Sequence, residues 1–249
     1  MLCLCSPAEF IPAFSTGRFL EGKSRILVVG VANGGRDYHF LRSLGKEAVP
    51  LDLAPQADIP ETVIQSIEDR TPFPDGHFDG VVLNEVLEHL FHDLDALIEV
   101  RRILKDDGVL VVTVPYLSIG QDLPEFHVRV QTRRTLQRLL GEAGFVVEDH
   151  FFRGFLSGLP NMSRGFWYAL RLTHRLLGKL VKGGEERAIL LVNTRLAHGE
   201  RRIGSSWFGE SIQRKFAAFG GILKARKAEK LRPSSAIQIE AFQNGGERR

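Results

Sequence analysis

Cysteine is almost absent from this sequence, which holds only Cys3 and Cys5 among its 249 residues. Two cysteines this close together cannot form a disulfide framework, and no second Cys/His pair completes a zinc site. Long apolar runs are also lacking, because the run at residues 109–115 is far below the roughly 18 residues of a membrane-spanning helix. The first residues lack the positive charge of a secretory signal. These absences predict a cytoplasmic protein.

The balance of charge differs between the two parts of the chain. Residues 1–160 hold 15 basic and 23 acidic side chains, a balance of −8, whereas residues 161–249 hold 18 basic and 7 acidic, a balance of +11. Such a division indicates an anionic partner for the basic part. Hydrophobic residues make up 43% of the sequence, enough at this length for a sizeable core.

The first 155 residues alternate β-rich apolar segments with segments of helical periodicity, which predicts an open, mostly parallel α/β sheet. The predicted strands are residues 25–30, 48–52, 62–64, 78–83, 109–114 and 144–148. Helices are predicted over residues 85–104 and 131–141, and further along the chain over 164–181 and 206–231.

Two features at the ends of the first two strands favour a ligand that contains a ribose. The first strand runs into a turn that holds Gly30 and Gly34, where the absence of side chains lets the backbone approach a ligand. The second strand ends at Asp52, whose carboxylate can accept hydrogen bonds from both ribose hydroxyls. Ligands bind at the carboxyl ends of strands in such sheets, so both features lie at the expected edge.

A longer motif follows. Residues 69–79 read DRTPFPDGHFD, residues 84–90 read NEVLEHL and residues 101–110 read RRILKDDGVL. Over residues 24–150 the chain resembles the class I S-adenosylmethionine-dependent methyltransferases, in the branch with the pattern PFPDGSFD…EVLEH…RVLKPGG. The resemblance implies a Rossmann-like, three-layer α/β sandwich with a seven-stranded, mostly parallel sheet whose last strand is antiparallel.

The resemblance also implies a domain organisation. We expect one domain over residues 1–249, with a core at 24–155 and a closing strand at about 235–242. Residues 188–196 are the alternative for that strand. Residues 156–234 are expected to form a basic, mainly helical insertion before it.

The implied cofactor is S-adenosyl-L-methionine. By position in the motif series, the residues expected to bind it are Gly30, Ala32, Gly34, Asp52, Leu53, Ile67, Glu68, Asn84 and Glu85. Three positions depart from the family pattern. Val28 stands where an acid is usual, Ala32 replaces the middle glycine, and Ile67 replaces an Asp that faces the adenine amine, so Glu68 or Asp69 would have to substitute.

Histidines are the candidate catalytic bases, because their side chains titrate near neutral pH. His127 lies in the loop after the fifth strand, which covers the substrate in this fold, and His89 lies in the motif after the fourth. We expect no metal. The alternative is that Glu85, Glu88 and His89, on one face of the predicted helix, bind a divalent ion together with His127, as a similar set does in some small-RNA and quinone O-methyltransferases.

The basic part predicts a surface for an anionic partner. Five basic residues share one face of the predicted helix at 164–181: Arg164, Arg171, Arg175, Lys179 and Lys182. With nearby aromatics, this pattern is typical of helices at a membrane surface, so we expect peripheral contact through residues 163–182, at the inner face of the membrane. A second basic stretch, residues 214–232, adds to the positive charge.

We therefore expect a methyltransferase that acts on a small or lipid-linked acceptor, such as a glycan precursor or a quinone, at oxygen. An RNA methyltransferase that grips phosphates through its basic region is the less favoured alternative, because no RNA-binding motif is evident. A non-catalytic scaffold that retains the fold is the third.

Overall fold

The computed structural model of the chain describes residues 7–32, 35–116, 125–153, 172, 173, 176, 179, 184–206 and 220–229. The helices are α1 (Pro7–Phe19), α2 (Arg36–Ser43), α3 (Asp93–Ile103), α4 (Arg133–Glu142) and α5 (Gly184–Gly204), with a 3-10 turn at Leu87–His89. The strands are β1 (Arg25–Val29), β2 (Glu47–Asp52), β3 (Val63–Ile64), β4 (Phe78–Asn84), β5 (Leu104–Val114), β6 (Phe145–Arg153) and β7 (Gly220–Lys227).

The strands form one seven-stranded sheet in the order β3-β2-β1-β4-β5-β7-β6. The first five strands pair in parallel, and β7 pairs antiparallel with both β5 and β6. One apolar cluster packs α3 and α4 against the sheet, and a second contains residues of α2 and the end of α1. The predicted Rossmann-like, mostly parallel α/β sandwich is therefore confirmed.

The antiparallel strand lies at a position that the sequence did not predict. It is formed by Gly220–Lys227, within the stretch at 206–231 that we expected to be helical. Residues 188–196, the alternative for that strand, lie in α5. The prediction failed because a short apolar run does not distinguish a strand from a buried helix segment. Residues 236–242 lie outside the described residues, and the division into core and insertion stays a prediction.

The helix expected over residues 85–104 begins later than predicted. Glu85 has a left-handed φ of 55°, which a right-handed helix cannot include. A 3-10 turn at Leu87–His89 follows, and α3 starts only at Asp93. Glu85, Glu88 and His89 therefore do not share one face of an α-helix.

The basic residues of β7 face acidic partners. Glu148 on β6 pairs with Lys224 at 3.0 Å and with Arg226 at 2.9 Å, and Asp106 pairs with Lys227 at 3.1 Å. This part of the predicted basic surface is thus neutralised by the acidic core, which leaves less positive charge for an external partner.

The helix predicted at 164–181 agrees with the residues described there. Leu172, Thr173, Leu176 and Lys179 are helical and exposed. None of the helices within the described ranges is long and apolar enough to cross a membrane.

Asp79 joins three strands at their amino ends. Its carboxylate accepts hydrogen bonds from the backbone N–H of Arg25, at 2.8 Å, and from the Lys105 ammonium, at 2.7 Å. Burial alone would raise the pKa of Asp79, but these hydrogen bonds and one from Ser24 lower it from 3.8 to about 2. Asp79 closes the PFPDGHFD motif, so this part of the family signature has a structural role far from the carboxyl ends of the strands.

We expect Asp79→Asn to lower the free energy of unfolding by about 1–2 kcal/mol at pH 7. Because the pKa of Asp79 is lowered in the folded chain, the ionised carboxylate stabilises the fold above pH 3.8, and this contribution is lost as the pH falls towards 2. The destabilisation should accordingly be about half as large at pH 3. Urea unfolding at both pH values measures it, with the exposed Asp58→Asn as control. An equal loss at both pH values would contradict the assignment.

Candidate functional site

The turn after β1 requires glycine at residue 30. Gly30 has a φ of 75°, and its N–H donates to the carbonyl of Leu51 at 2.9 Å. A Cβ at this position would lie 2.8 Å from the Val86 side chain, in the turn after β4. The absence of a side chain therefore lets the ends of β1 and β4 approach each other at the carboxyl edge of the sheet. Gly34 lies outside the described residues.

Asp52 connects the loops that follow β1 and β2. One carboxylate oxygen accepts a hydrogen bond from the Ala32 N–H at 3.0 Å, and the other accepts from the Ala54 N–H at 3.4 Å. Each oxygen retains acceptor capacity, since a carboxylate offers about four lone-pair positions. The half-buried Asp52 can therefore bind the two hydroxyls of a ribose, and Leu53 beside it is 70% exposed. This pairing is consistent with the predicted roles of Ala32 and Asp52, which stay predictions.

The side chains predicted to face adenine have other partners. Ile67 is only 3% exposed and belongs to the apolar core. The Glu68 carboxylate accepts a hydrogen bond from the His92 N–H at 2.6 Å, at the start of α3. The adenine contact through Ile67 or Glu68 remains a prediction, and a contact there would use the backbone or a rearranged Glu68.

Asn84 ties the N-terminal helix to the end of β4. It is buried, and its side-chain N–H donates to the Thr16 hydroxyl of α1 at 3.0 Å. Its side-chain oxygen has no hydrogen-bond partner among the described residues.

Glu85 adopts a strained backbone conformation beside Asn84. Among the described residues, it is the only non-glycine residue with a positive φ. Thr113 holds it in place, because the Thr113 hydroxyl accepts from the Glu85 N–H at 3.2 Å and donates to the Glu85 carboxylate at 2.7 Å. Strain of this kind costs about 1–3 kcal/mol and concentrates at functional sites.

The two candidate bases lie next to each other. The rings of His89 and His127 meet edge to face, with their centroids 4.9 Å apart. Burial lowers the pKa of His127 below 6.5, and the neighbouring His89 lowers it further, whereas the carboxylate of Glu85 raises it. His127 is therefore neutral at pH 7, the state in which an imidazole accepts a proton or binds a metal ion. Glu88 is 1% exposed and joins this pair, whereas Glu85 lies outside the group that could bind a cation.

The sequence reasoning missed two residues of this region, Thr16 and Thr113. Thr113 is a single polar residue near the end of an apolar strand, and that exception to the pattern was a usable signal. Thr16 lies 68 residues before Asn84, so no local pattern could have indicated its contact with β4.

Comparison with known proteins finds a similarity to methyltransferases in the first half of the chain. Residues 27–112 match the family profile described as "Methyltransferase domain". A curated protein from Mycolicibacterium smegmatis, named a probable S-adenosylmethionine-dependent methyltransferase, is 40% identical over 83 residues. That match covers 31% of this chain, and it spans about a third, 32%, of the relative's length.

Solved structures share the fold. A SAM-dependent methyltransferase from Archaeoglobus fulgidus aligns with 88% of this chain and 94% of its own, with a TM-score of 0.57 and 18% identity. The 1,6-didemethyltoxoflavin-N1-methyltransferase from Burkholderia thailandensis, whose structure holds S-adenosylhomocysteine, aligns with 89% of this chain and 79% of its own, with a TM-score of 0.54 and 16% identity. Residues 27–112 are thus similar to the methyltransferase domain, and the chain shares the fold of these solved methyltransferase structures.

Proposed function

We propose that this protein transfers the methyl group of S-adenosylmethionine to an oxygen of a small or lipid-linked acceptor. The observation that carries the proposal is the carboxyl edge of the sheet, where Gly30 removes a side chain from the β1 turn and Asp52 links that turn to the end of β2. This edge fits the cofactor, because Asp52 offers acceptors for ribose hydroxyls and the lack of a side chain at Gly30 lets β1 and β4 end close together beside it.

Each residue of the edge has a defined task in this proposal. The backbone of Gly30 and Ala32 would lie against the methionine part, Asp52 would bind the ribose, and Asn84 would keep the end of β4 in place through its hydrogen bond to Thr16. The cofactor, when bound, supplies an electrophilic methyl group on a sulfonium. The protein's own contribution is to align an acceptor with that methyl group and to exclude water.

The acceptor is expected on the side of His89 and His127. Both histidines lie near the end of β4, and His127 is neutral at pH 7. The role predicted for one of them is to accept the proton of an acceptor hydroxyl. A small-molecule acceptor is supported by the named substrate of the Burkholderia structural neighbour, 1,6-didemethyltoxoflavin, although that similarity is one of fold.

Replacing Asp52 by Ala should weaken binding of S-adenosylhomocysteine. The variant loses both ribose acceptors and the hydrogen bond that orders the Ala32 loop, so we expect the dissociation constant to rise at least tenfold, about 1.4 kcal/mol or more. Isothermal titration calorimetry with the full chain measures this change.

The exposed Asp58→Ala serves as the matched control, since it removes the same charge from the loop that follows β2. It should bind S-adenosylhomocysteine as the wild type does. Unchanged affinity in Asp52→Ala would refute the site assignment, and the absence of any binding by the wild type would refute the proposed function.

Contact with a membrane surface is part of the proposal for a lipid-linked acceptor. Leu172, Leu176 and Lys179 follow one another at spacings of four and three residues, which places them on one helix face, and all three are exposed. An exposed surface that combines apolar and basic side chains suits the interface of an anionic bilayer.

Charge reversal by Lys179→Glu should weaken binding to vesicles of phosphatidylcholine and phosphatidylglycerol roughly tenfold at low salt, because each basic residue near such a surface contributes about 1 kcal/mol. Sedimentation with the vesicles measures the bound fraction. Arg70→Glu makes the same change of charge at another exposed position and should leave binding unaltered. If both variants bind the vesicles like the wild type, or if the wild type does not bind them, the proposal of membrane contact is wrong.

A further inference from the structure

Three side chains with metal-binding atoms converge from two separate segments. Glu88 and His89 belong to the 3-10 turn after β4, and His127 belongs to the loop that precedes α4. One ligand atom from each lies within 4.8 Å of the other two. The group is therefore assembled by tertiary structure and does not depend on the helical spacing of neighbours in the sequence.

The loop that carries His127 is fastened to the turn that carries the other two residues. The Val128 N–H donates to the carbonyl of Glu88 at 2.9 Å. The Arg129 guanidinium pairs with Asp93 at 2.7 Å and donates to the carbonyl of Phe91 at 2.8 Å. These bonds, within the turn and just after it, fix His127 beside His89 before any ligand binds.

The hydrogen bond of His89 determines which of its nitrogens is available. Nδ1 lies 3.1 Å from the carbonyl oxygen of Phe126. A carbonyl can only accept, so Nδ1 carries the hydrogen in this contact and Nε2 keeps its lone pair in the neutral ring. Histidines that bind metals are commonly oriented in this way, by donating the other ring N–H to a carbonyl or carboxylate.

We propose that Glu88, His89 and His127 bind a divalent cation of the borderline class, such as Zn²⁺, Fe²⁺ or Co²⁺. Two imidazoles and one carboxylate favour these ions over Mg²⁺ and Ca²⁺, which prefer ligand sets made of oxygen alone. Neighbouring ligand atoms around such an ion lie about 3–3.5 Å apart when the bonds are about 2.1 Å long. Modest side-chain rotations would bring the three ligand atoms, now within 4.8 Å of one another, to that distance.

The cation site deepens the proposed function and rests on it. Three protein ligands leave coordination positions open, and a cation there would lower the pKa of an acceptor hydroxyl. The hydroxyl proton then passes to water, the oxygen forms a bond to the methyl carbon, and the electron pair of the breaking C–S bond stays on sulfur. The two histidines would in that case act as ligands, and neither would be needed as the base.

Titration of the tag-free full chain with Co²⁺ tests the site, by calorimetry and by the visible absorption of the bound ion. We expect one equivalent to bind to the wild type. His89→Ala and His127→Ala should each weaken binding at least tenfold. The exposed His92→Ala removes an imidazole three residues away and should bind Co²⁺ like the wild type.

His89 is exposed, so His89→Ala should fold even if substitution of the buried Glu88 does not. Equal Co²⁺ affinity in the wild type and in both histidine variants, or no Co²⁺ binding by the wild type, would overturn the proposal. S-adenosylhomocysteine binding, measured on the same samples, distinguishes this failure from a failure of the proposed function. We expect the affinity for S-adenosylhomocysteine to be unchanged in His89→Ala.

Discussion

The hydrogen bond from the Ala32 N–H to the Asp52 carboxylate is the contact on which the candidate cofactor site depends. It joins the turn after β1 to the end of β2, and the hydrogen bond from the Gly30 N–H to the carbonyl of Leu51 reinforces the same junction. The two loops are thereby held at the carboxyl edge of the sheet without a ligand. A site that is ordered in advance loses less conformational entropy when its ligand binds.

The acceptor side of the site depends on a strained residue at the end of β4. Glu85 keeps a left-handed backbone that glycine would adopt at lower cost, and Thr113 stabilises it through both its backbone and its carboxylate. This abrupt end of β4 lets the 3-10 turn, and not a regular helix, present Glu88 and His89 to His127. The same strain that disrupts the expected helix thus creates the cluster to which we assign a cation.

Local sequence patterns were sufficient for most of the sheet. The apolar segments predicted as β1, β4 and β5 appear with shifts of a few residues, because buried parallel strands have a strong compositional signal, and the edge strand β6 begins one residue after its predicted start. The position of β7 was not predictable in this way, since Lys224, Arg226 and Lys227 obscure its apolar pattern and their acidic partners lie on β6 and at the start of β5. Contacts across such distances, like that of Thr16 with Asn84, leave no periodicity in the sequence. The motif residue Asp79, by contrast, is part of the pattern that resembles the methyltransferases, although it stabilises the opposite edge of the sheet.

The division of charge along the chain also has a structural explanation, because part of the basic excess pairs with acidic residues inside the sheet and part remains exposed at Lys179. The central claim is methyl transfer to a small acceptor. It is tested most directly by incubating the full chain with methyl-tritiated S-adenosylmethionine and a cell extract, which is then separated into organic-soluble small molecules, RNA and protein. We expect label in the small-molecule fraction that depends on the wild-type protein and is lost with Asp52→Ala. Label confined to RNA or protein, or no label that depends on the added protein, would contradict this function.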